Sequence, residues 1–200
     1  MSVGISEAPD DKPRCDWCSS GAADYIHYHD TEWGFPVSDD RHLFEKLCLE
    51  SFQSGLSWLT ILTKRENFRA AFENFDFNKM AEFTETDIER LLQDAGIVRH
   101  RGKITAVINN AQRAQEMVEK EGSLASFLWR YESKTSQAST ASTSTESIAL
   151  SKDLKKLGWK FLGPTTVYAF MQSMGLVNDH SEHCIIRAEV AHARKNFSRP

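Results

Sequence analysis

Three groups of side chains in this 200-residue chain have types and spacings that could do chemistry. The first is a set of thiols and imidazoles. His180 and Cys184 lie one helical turn apart, so on a helix they share a face. Cys15 and His29 lie near the other end of the chain. Together they form a Cys2His2 set, which suits a tetrahedral zinc ion. The spacing is not that of a zinc finger. His27, Cys18 and His183 compete for the ligand roles, and Cys15-Asp16-Trp17-Cys18 also offers a CxxC pair. The plainer alternative is that the cysteines are buried small apolar residues.

The second group centres on Glu50, in LCLESFQSGLSW. A carboxylate inside an apolar helical run is costly to desolvate unless it is paired or used. Glu50 is therefore either a surface residue at a helix end or a buried acceptor in a pocket. Trp17, Tyr25, Tyr28, Trp33, Phe52 and Trp58 surround these segments. They read either as plain core or as aromatic walls. Such walls, with a carboxylate, would hold a flipped, positively charged base by stacking and charge. The third group is LGWKFLGPTTVYAFMQSMGL. Gly158 ends one helix and Gly163-Pro164 starts the next, with Pro at a position that needs no N–H. The free N–H groups at such a helix start suit a phosphate. The competing reading is an ordinary helical turn.

Helices must position all of these groups. From Asp39 to about Phe72 apolar residues recur at helical spacing, with Gly55 separating two helices. Thr86 and Glu89 have capping-box spacing, opening a helix that Gly96 would close. Further helices are expected over 103–118, 124–129, 149–157 and 164–174. Residues 133–147, dominated by Ser and Thr, read as a flexible loop, and 1–13 as a loose leader. The remainder, 14–200, reads as one domain. No alternating strand pattern and no internal repeat stands out, so the fold class expected is all-α.

Composition narrows the class further. Hydrophobic residues make up 40% and charged residues 26%, ordinary for a globular chain. The net charge of −4 argues against coating nucleic acid by bulk charge, but not against local basic patches. Lys155, Lys156 and Lys160 near the hairpin, and Arg99, Arg101 and Lys103 upstream, are candidate phosphate contacts, or simply solvated helix faces. No apolar run is long enough to span a bilayer. The N-terminus has no basic start followed by an apolar core, so no secretory signal is expected. A cytoplasmic, monomeric protein with reduced thiols follows as the expectation.

Four longer strings carry a resemblance: YIHYHDTEWGFPV, LFEKLCLESFQSGLSWLTILTKRENFRAAF, DAGIVRHRGKI and MGLVNDH. In this order, from about Arg14 to Cys184, the chain resembles the DNA-3-methyladenine glycosylase I family of the helix-hairpin-helix DNA glycosylase superfamily. The resemblance implies that superfamily's fold and hydrolysis of the N-glycosidic bond of 3-methyladenine in alkylated double-stranded DNA. The nucleotide would be flipped out and the strand left uncut. It implies one structural zinc held by Cys15, His29, His180 and Cys184, tying the N- and C-terminal segments together. It places base recognition on Glu50, pocket aromatics on Trp17, Tyr25, Tyr28, Trp33 and Trp58, and duplex insertion on Gly55 and Leu56. The hairpin around Lys160, Leu162, Gly163 and Thr165 would grip the DNA backbone. In Val177-Asn178-Asp179-His180, Asn178 stands where many superfamily relatives carry a catalytic Asp. That departure argues against lyase chemistry. Two rival classes are a zinc hydrolase with Glu50 as general base, for which no HExxH arrangement is present, and a zinc-containing, non-catalytic helix-hairpin-helix DNA-binding module.

Overall fold

Eleven α-helices and three short 3-10 turns account for the regular structure in the computed structural model, which describes residues 12–18, 22–134 and 141–200. No strand occurs among the described residues, in line with the all-α expectation. In chain order the helices are α1 (Ala23–Thr31), α2 (Asp40–Gln53), α3 (Trp58–Leu62), α4 (Arg65–Ala71), α5 (Phe77–Met80) and α6 (Glu85–Gln93). Then come α7 (Arg101–Glu121), α8 (Leu124–Leu128), α9 (Thr145–Lys156), α10 (Pro164–Ser173) and α11 (Arg187–Asn196). Most of the expected leader, and residues 135–140 of the expected Ser/Thr loop, lie outside the described residues.

The centre of the fold is α2. Asp39 caps it by accepting from the His42 N–H at 2.8 Å. Every residue from Leu43 to Phe52 is buried, because α3, α7, α8 and α10 all pack around this helix. A helix apolar on one stripe can be covered from one side, but a helix at the centre must be covered all round. Its polar residues therefore need partners inside the protein. Glu45 takes Arg69, whose Nη2 lies at 2.7 Å. Lys46 and Glu50 pair with each other at 3.2 Å.

Gly55 turns the chain between α2 and α3 with φ at +83°, a conformation that needs glycine. Ser57 then caps α3, accepting from the Thr60 N–H at 3.2 Å. The end of α2 is secured from elsewhere. Lys103, near the start of α7, donates its Nζ to the carbonyls of Phe52 at 2.8 Å and Ser54 at 2.5 Å. Next to this, Phe52, Phe68, Phe72 and Phe75 form a fully buried aromatic stack. Burying Phe75 offsets the cost of a turn in which Glu73, Asn74 and Phe75 all have positive φ.

The local boundaries differ from the expected ones in instructive ways. The cap of α6 lies two residues earlier than expected, with Asp87 accepting from the Thr84 N–H at 2.9 Å. Thr-x-x-acid occurs twice in Thr84–Glu89, and the earlier copy starts the helix. Gly96 does not close α6. Asp94 ends it, and the Gly96 N–H donates to the Asp94 carboxylate at 2.7 Å. Thr145–Ser147, expected in the loop, begin α9, because Ser144 and Ser147 cap each other reciprocally. Arg101 and Lys103 are not a free basic cluster. Arg101 pairs with Glu85 and Glu89, and Lys103 is buried on the end of α2. Lys103→Met should lower the free energy of unfolding by about 1–3 kcal/mol, the cost of leaving a buried carbonyl unpaired. Urea denaturation measures this, and an unchanged midpoint would contradict the capping role.

Candidate functional site

A cavity of about 530 Å³ opens between α1, α2, α3 and α10, a size ordinary for a small-molecule site. Trp17, Tyr25, Tyr28, Trp33 and Trp58 all line it, together with Glu50. The structure thus brings together every aromatic residue assigned to a pocket from the sequence, and the carboxylate with them. The 3-10 turn Asp16–Cys18 supplies Trp17, and α1 supplies both tyrosines by its i, i+3 spacing. Trp58 starts α3. Trp17 meets Tyr25 edge-on at 5.0 Å and Trp33 at 5.1 Å, while the Tyr28 and Trp58 rings lie 5.4 Å apart. Of these aromatics, Trp17 and Tyr25 are only partly buried. Phe52 belongs to the core stack, not to the cavity.

Glu50 is 5% exposed, so the surface reading is excluded. Burial raises its pKa, and the Lys46 ammonium opposes that rise. Sequence reasoning missed Lys46. It has lysine's ordinary surface preference against it, and its only clue was the i, i+4 spacing to Glu50. Sequence reasoning also missed Gln53, Gln172 and Asp179, which line the same cavity. Asp179 accepts from the Gln172 amide at 2.6 Å and the Tyr168 hydroxyl at 3.1 Å. Asn178 does not line the cavity. Its amide donates to the Arg187 carbonyl at 3.0 Å and holds the turn into α11.

Beside the cavity, Cys15, His29, His180 and Cys184 converge, with their ligand atoms all within 4.8 Å of one another. Cys184 Sγ lies 3.5 Å from His29 Nε2 and 3.4 Å from His180 Nδ1, and Cys15 Sγ lies 3.6 Å from His180 Nδ1. A tetrahedral ion with nitrogen and sulfur ligands has N···S edges of about 3.5 Å. The remaining ring nitrogens are also committed. His29 Nδ1 faces Asp30 at 2.7 Å, and His180 Nε2 faces the Trp33 carbonyl at 3.0 Å. Each imidazole thereby presents its other nitrogen to the cluster, as metal-bound histidines do. Arg14 braces Asp30 at 2.8 Å. Burial holds His180 neutral, with a pKa of about 4, which also suits a ligand. Burial pushes the Cys15 thiol up to about 12, and a dication in the cluster would reverse that.

The competitors fall away. Cys18 turns its thiol to the Cys15 carbonyl at 3.1 Å, and His27 and His183 are exposed. The cluster also supports the cavity. Trp33 lines the cavity and packs edge-on against His180 at 4.5 Å. Trp17 packs against His29 at 5.3 Å.

The hairpin after α9 leads directly into α10, which also lines the cavity. Gly158 closes α9 at φ +83°, with the Trp159 N–H reaching back to the Leu154 carbonyl at 3.0 Å. Leu162 is buried and its carbonyl accepts from Ser151 at 2.7 Å, so this residue offers only backbone to a partner. Lys160, Gly163 and Thr165 are exposed, as are Lys155 and Arg99, while Lys156 pairs with Asp153 at 2.7 Å. Leu56 stands out at the turn after Gly55, 41% exposed.

The methyladenine glycosylase family model matches residues 17–188. This chain belongs to that family. DNA-3-methyladenine glycosylase 1 of Escherichia coli K12 is 50% identical over 178 residues, which cover 86% of this chain and 95% of that protein. A crystal structure of 3-methyladenine DNA glycosylase I superposes with a TM-score of 0.81 at 49% identity, covering 86% of this chain and 98% of that one. A variant of 3-methyladenine DNA glycosylase I in complex with 3-methyladenine superposes with a TM-score of 0.79 at 39% identity, covering 83% and 93%.

The cluster geometry leads to a direct expectation. Elemental analysis of purified protein should find one tetrahedral metal ion per chain. Cys184→Ser should lose it and melt at lower temperature, because the ion closes a long chain loop. Metal-free protein with unaltered thermal stability would contradict it.

Proposed function

We propose that the protein excises 3-methyladenine from alkylated DNA by hydrolysing the N-glycosidic bond, leaving an abasic site and an uncut strand. The observation that carries this reading is Glu50, a buried carboxylate facing a cavity walled by five aromatic residues and large enough for one base. A base inside a duplex cannot reach such a cavity, so the nucleotide must be extruded. Methylation at N3 makes adenine cationic and already a good leaving group, so a strong general acid is unnecessary. What the site must provide is preferential binding of the cation as the bond breaks. Stacking on Trp58 and Tyr28, with Trp17, Tyr25 and Trp33 completing the walls, favours any base. The Glu50 charge favours the cationic one, and neutral adenine gains less.

The absence of an Asp at 178 fits this light chemical demand, and nothing in the cavity calls for lyase chemistry. Asn178 is occupied structurally. The reading as a non-catalytic DNA-binding module gives the Glu50 cavity no role.

For the DNA, the exposed Leu56 beside Gly55 is placed to enter the gap left by the extruded nucleotide, and the Gly163-Pro164 start of α10 to hold a phosphate through backbone N–H groups. Gly163 supports this. Its φ of −69° is ordinary, and an added Cβ would meet nothing within 4 Å. The protein itself does not require glycine there, whereas close approach of a phosphate backbone would. Lys160 adds charge alongside.

The donor set Cys15, His29, His180 and Cys184 suits zinc, which with four protein ligands has no open position for a reacting water. Its role there would be structural: held by these four residues, it would tie the N-terminal segment bearing Trp17 to the turn bearing Asp179. That saturated set also argues against the zinc-hydrolase reading.

Glu50→Gln should slow release of 3-methyladenine from methylated DNA on the order of a hundredfold, the scale seen on losing one electrostatic contact to the transition state, with melting temperature preserved. Wild-type rates in that variant would remove Glu50 from the mechanism. Gly163→Ala should leave the fold and melting temperature unchanged and weaken binding to duplex DNA by about tenfold, the loss of one charge-assisted backbone contact. A DNA titration by fluorescence anisotropy decides it, and unchanged affinity would take the hairpin out of the interface.

A further inference from the structure

Behind the cavity wall lies a second buried ionisable group. Lys46 is 4% exposed and does not line the cavity. Its ammonium has three N–H directions and a partner for each. It donates to the Tyr28 hydroxyl at 2.5 Å, pairs with Glu50 Oε1 at 3.2 Å, and sits 3.4 Å from the centroid of the Trp58 ring. All three partners line the cavity. A buried pair of this kind is seldom needed for stability, since apolar residues of similar size would pack as well. Its presence against the one carboxylate that meets the base calls for another explanation.

We propose that Lys46 is a positioning residue for base capture: its ammonium, fixed by the Tyr28 hydroxyl and the Trp58 ring, keeps Glu50 ionised and turned to the cavity before the cationic base arrives. This inference rests on the reading of Glu50 as the group that meets the base.

The electrostatics follow from the burial of both groups. Desolvation raises the Glu50 pKa and lowers that of Lys46, to about 8. Each charge is therefore held mainly by the other. Farther off, Arg65 on α4 lowers Lys46 and Glu32 after α1 raises it, and these two are paired with each other at 2.6 Å. The phenols of Tyr25 and Tyr28 on α1 also lie near Glu50; burial raises both, and the Glu50 charge adds to the rise. Across the cavity stand Asp16 and Asp179. Among these groups Lys46 alone places a cation in contact with Glu50. Without it, burial acts on the carboxyl unopposed, the proton is held to higher pH, and a protonated Glu50 has no charge to offer a cationic base. The Tyr28 hydroxyl, accepting from Lys46, also keeps its own proton for an acceptor that enters the cavity.

The test is single-turnover release of 3-methyladenine from methylated DNA across the pH range, for the wild type, Lys46→Met and Lys46→Arg. In Lys46→Met the acidic limb should move up by about one pH unit, a loss of about tenfold below the limb, recovering as pH rises. Lys46→Arg should restore the limb. A Lys46→Met profile that overlays the wild type, or a loss equal at every pH, overturns the proposal. Lys46→Gln substitutes if the methionine variant does not fold. Carbon-13 NMR titration of the Glu50 carboxyl, which needs no activity, should show the same upward shift in the variant. If wild-type protein releases no 3-methyladenine, the assigned function fails. The NMR titration then still decides whether Lys46 holds Glu50 ionised.

Discussion

A helix buried on every side, yet carrying Glu45, Lys46 and Glu50, sets the terms for the rest of this structure. Polar groups taken out of water must be satisfied inside the protein or they destabilise it. Several surrounding helices supply that satisfaction to α2. Helix α4 brings Arg69 to Glu45. Helix α1 brings the Tyr28 hydroxyl, and α3 the face of Trp58, to Lys46. Helix α7 brings Lys103 to the carbonyls at the end of α2. Of these three charged residues of α2 only Glu50 faces the open cavity, and its partner Lys46 is hidden behind the wall. The arrangement leaves a carboxylate able to meet a cation.

The cavity walls come from distant stretches of chain, and a second constraint keeps them together. Cys15 and His180 are 165 positions apart in sequence and 3.6 Å apart at their ligand atoms. The Trp33 carbonyl and Asp30 orient the two imidazoles, while the Trp33 and Trp17 rings rest on those same imidazoles and face the cavity. Metal-type cluster and aromatic wall are thus one packed unit. An ion in the cluster would stiffen the wall without touching anything inside it.

The net charge of −4 and the proposed DNA substrate are compatible because the basic residues are unequally available. Arg101, Arg65 and Arg69 are already paired with carboxylates of the chain, and Lys46 and Lys103 are buried. What faces solvent at the hairpin is Lys155 and Lys160, the apolar Leu157 and Phe161, and the start of α10. A helix start grips a phosphate through fixed dipoles, so it needs little net charge.

Local order was legible from the residues alone. Helical period, the Gly55 break, the Gly158 and Gly163-Pro164 punctuation and the all-α class depend on neighbours within a turn or two. The strings resembling the glycosylase family singled out the aromatic set and the Cys2His2 set that the structure brings together. The register error at α6 arose where two equivalent Thr-x-x-acid caps lie within a few residues, and the error at α9 where the Ser144–Ser147 cap lies inside a Ser/Thr-rich stretch that reads as loop. What could not be read was which charges face inward. Lys46, Lys103 and Arg101 look alike as isolated letters in helical segments, yet one braces a pocket carboxylate, one caps a helix end and one joins a surface ion pair. The same holds for Asn178 and Asp179, adjacent in sequence, of which only the second lines the cavity. A side chain's burial and partner depend on contacts between segments far apart in the chain, and such contacts exist only once the helices have packed.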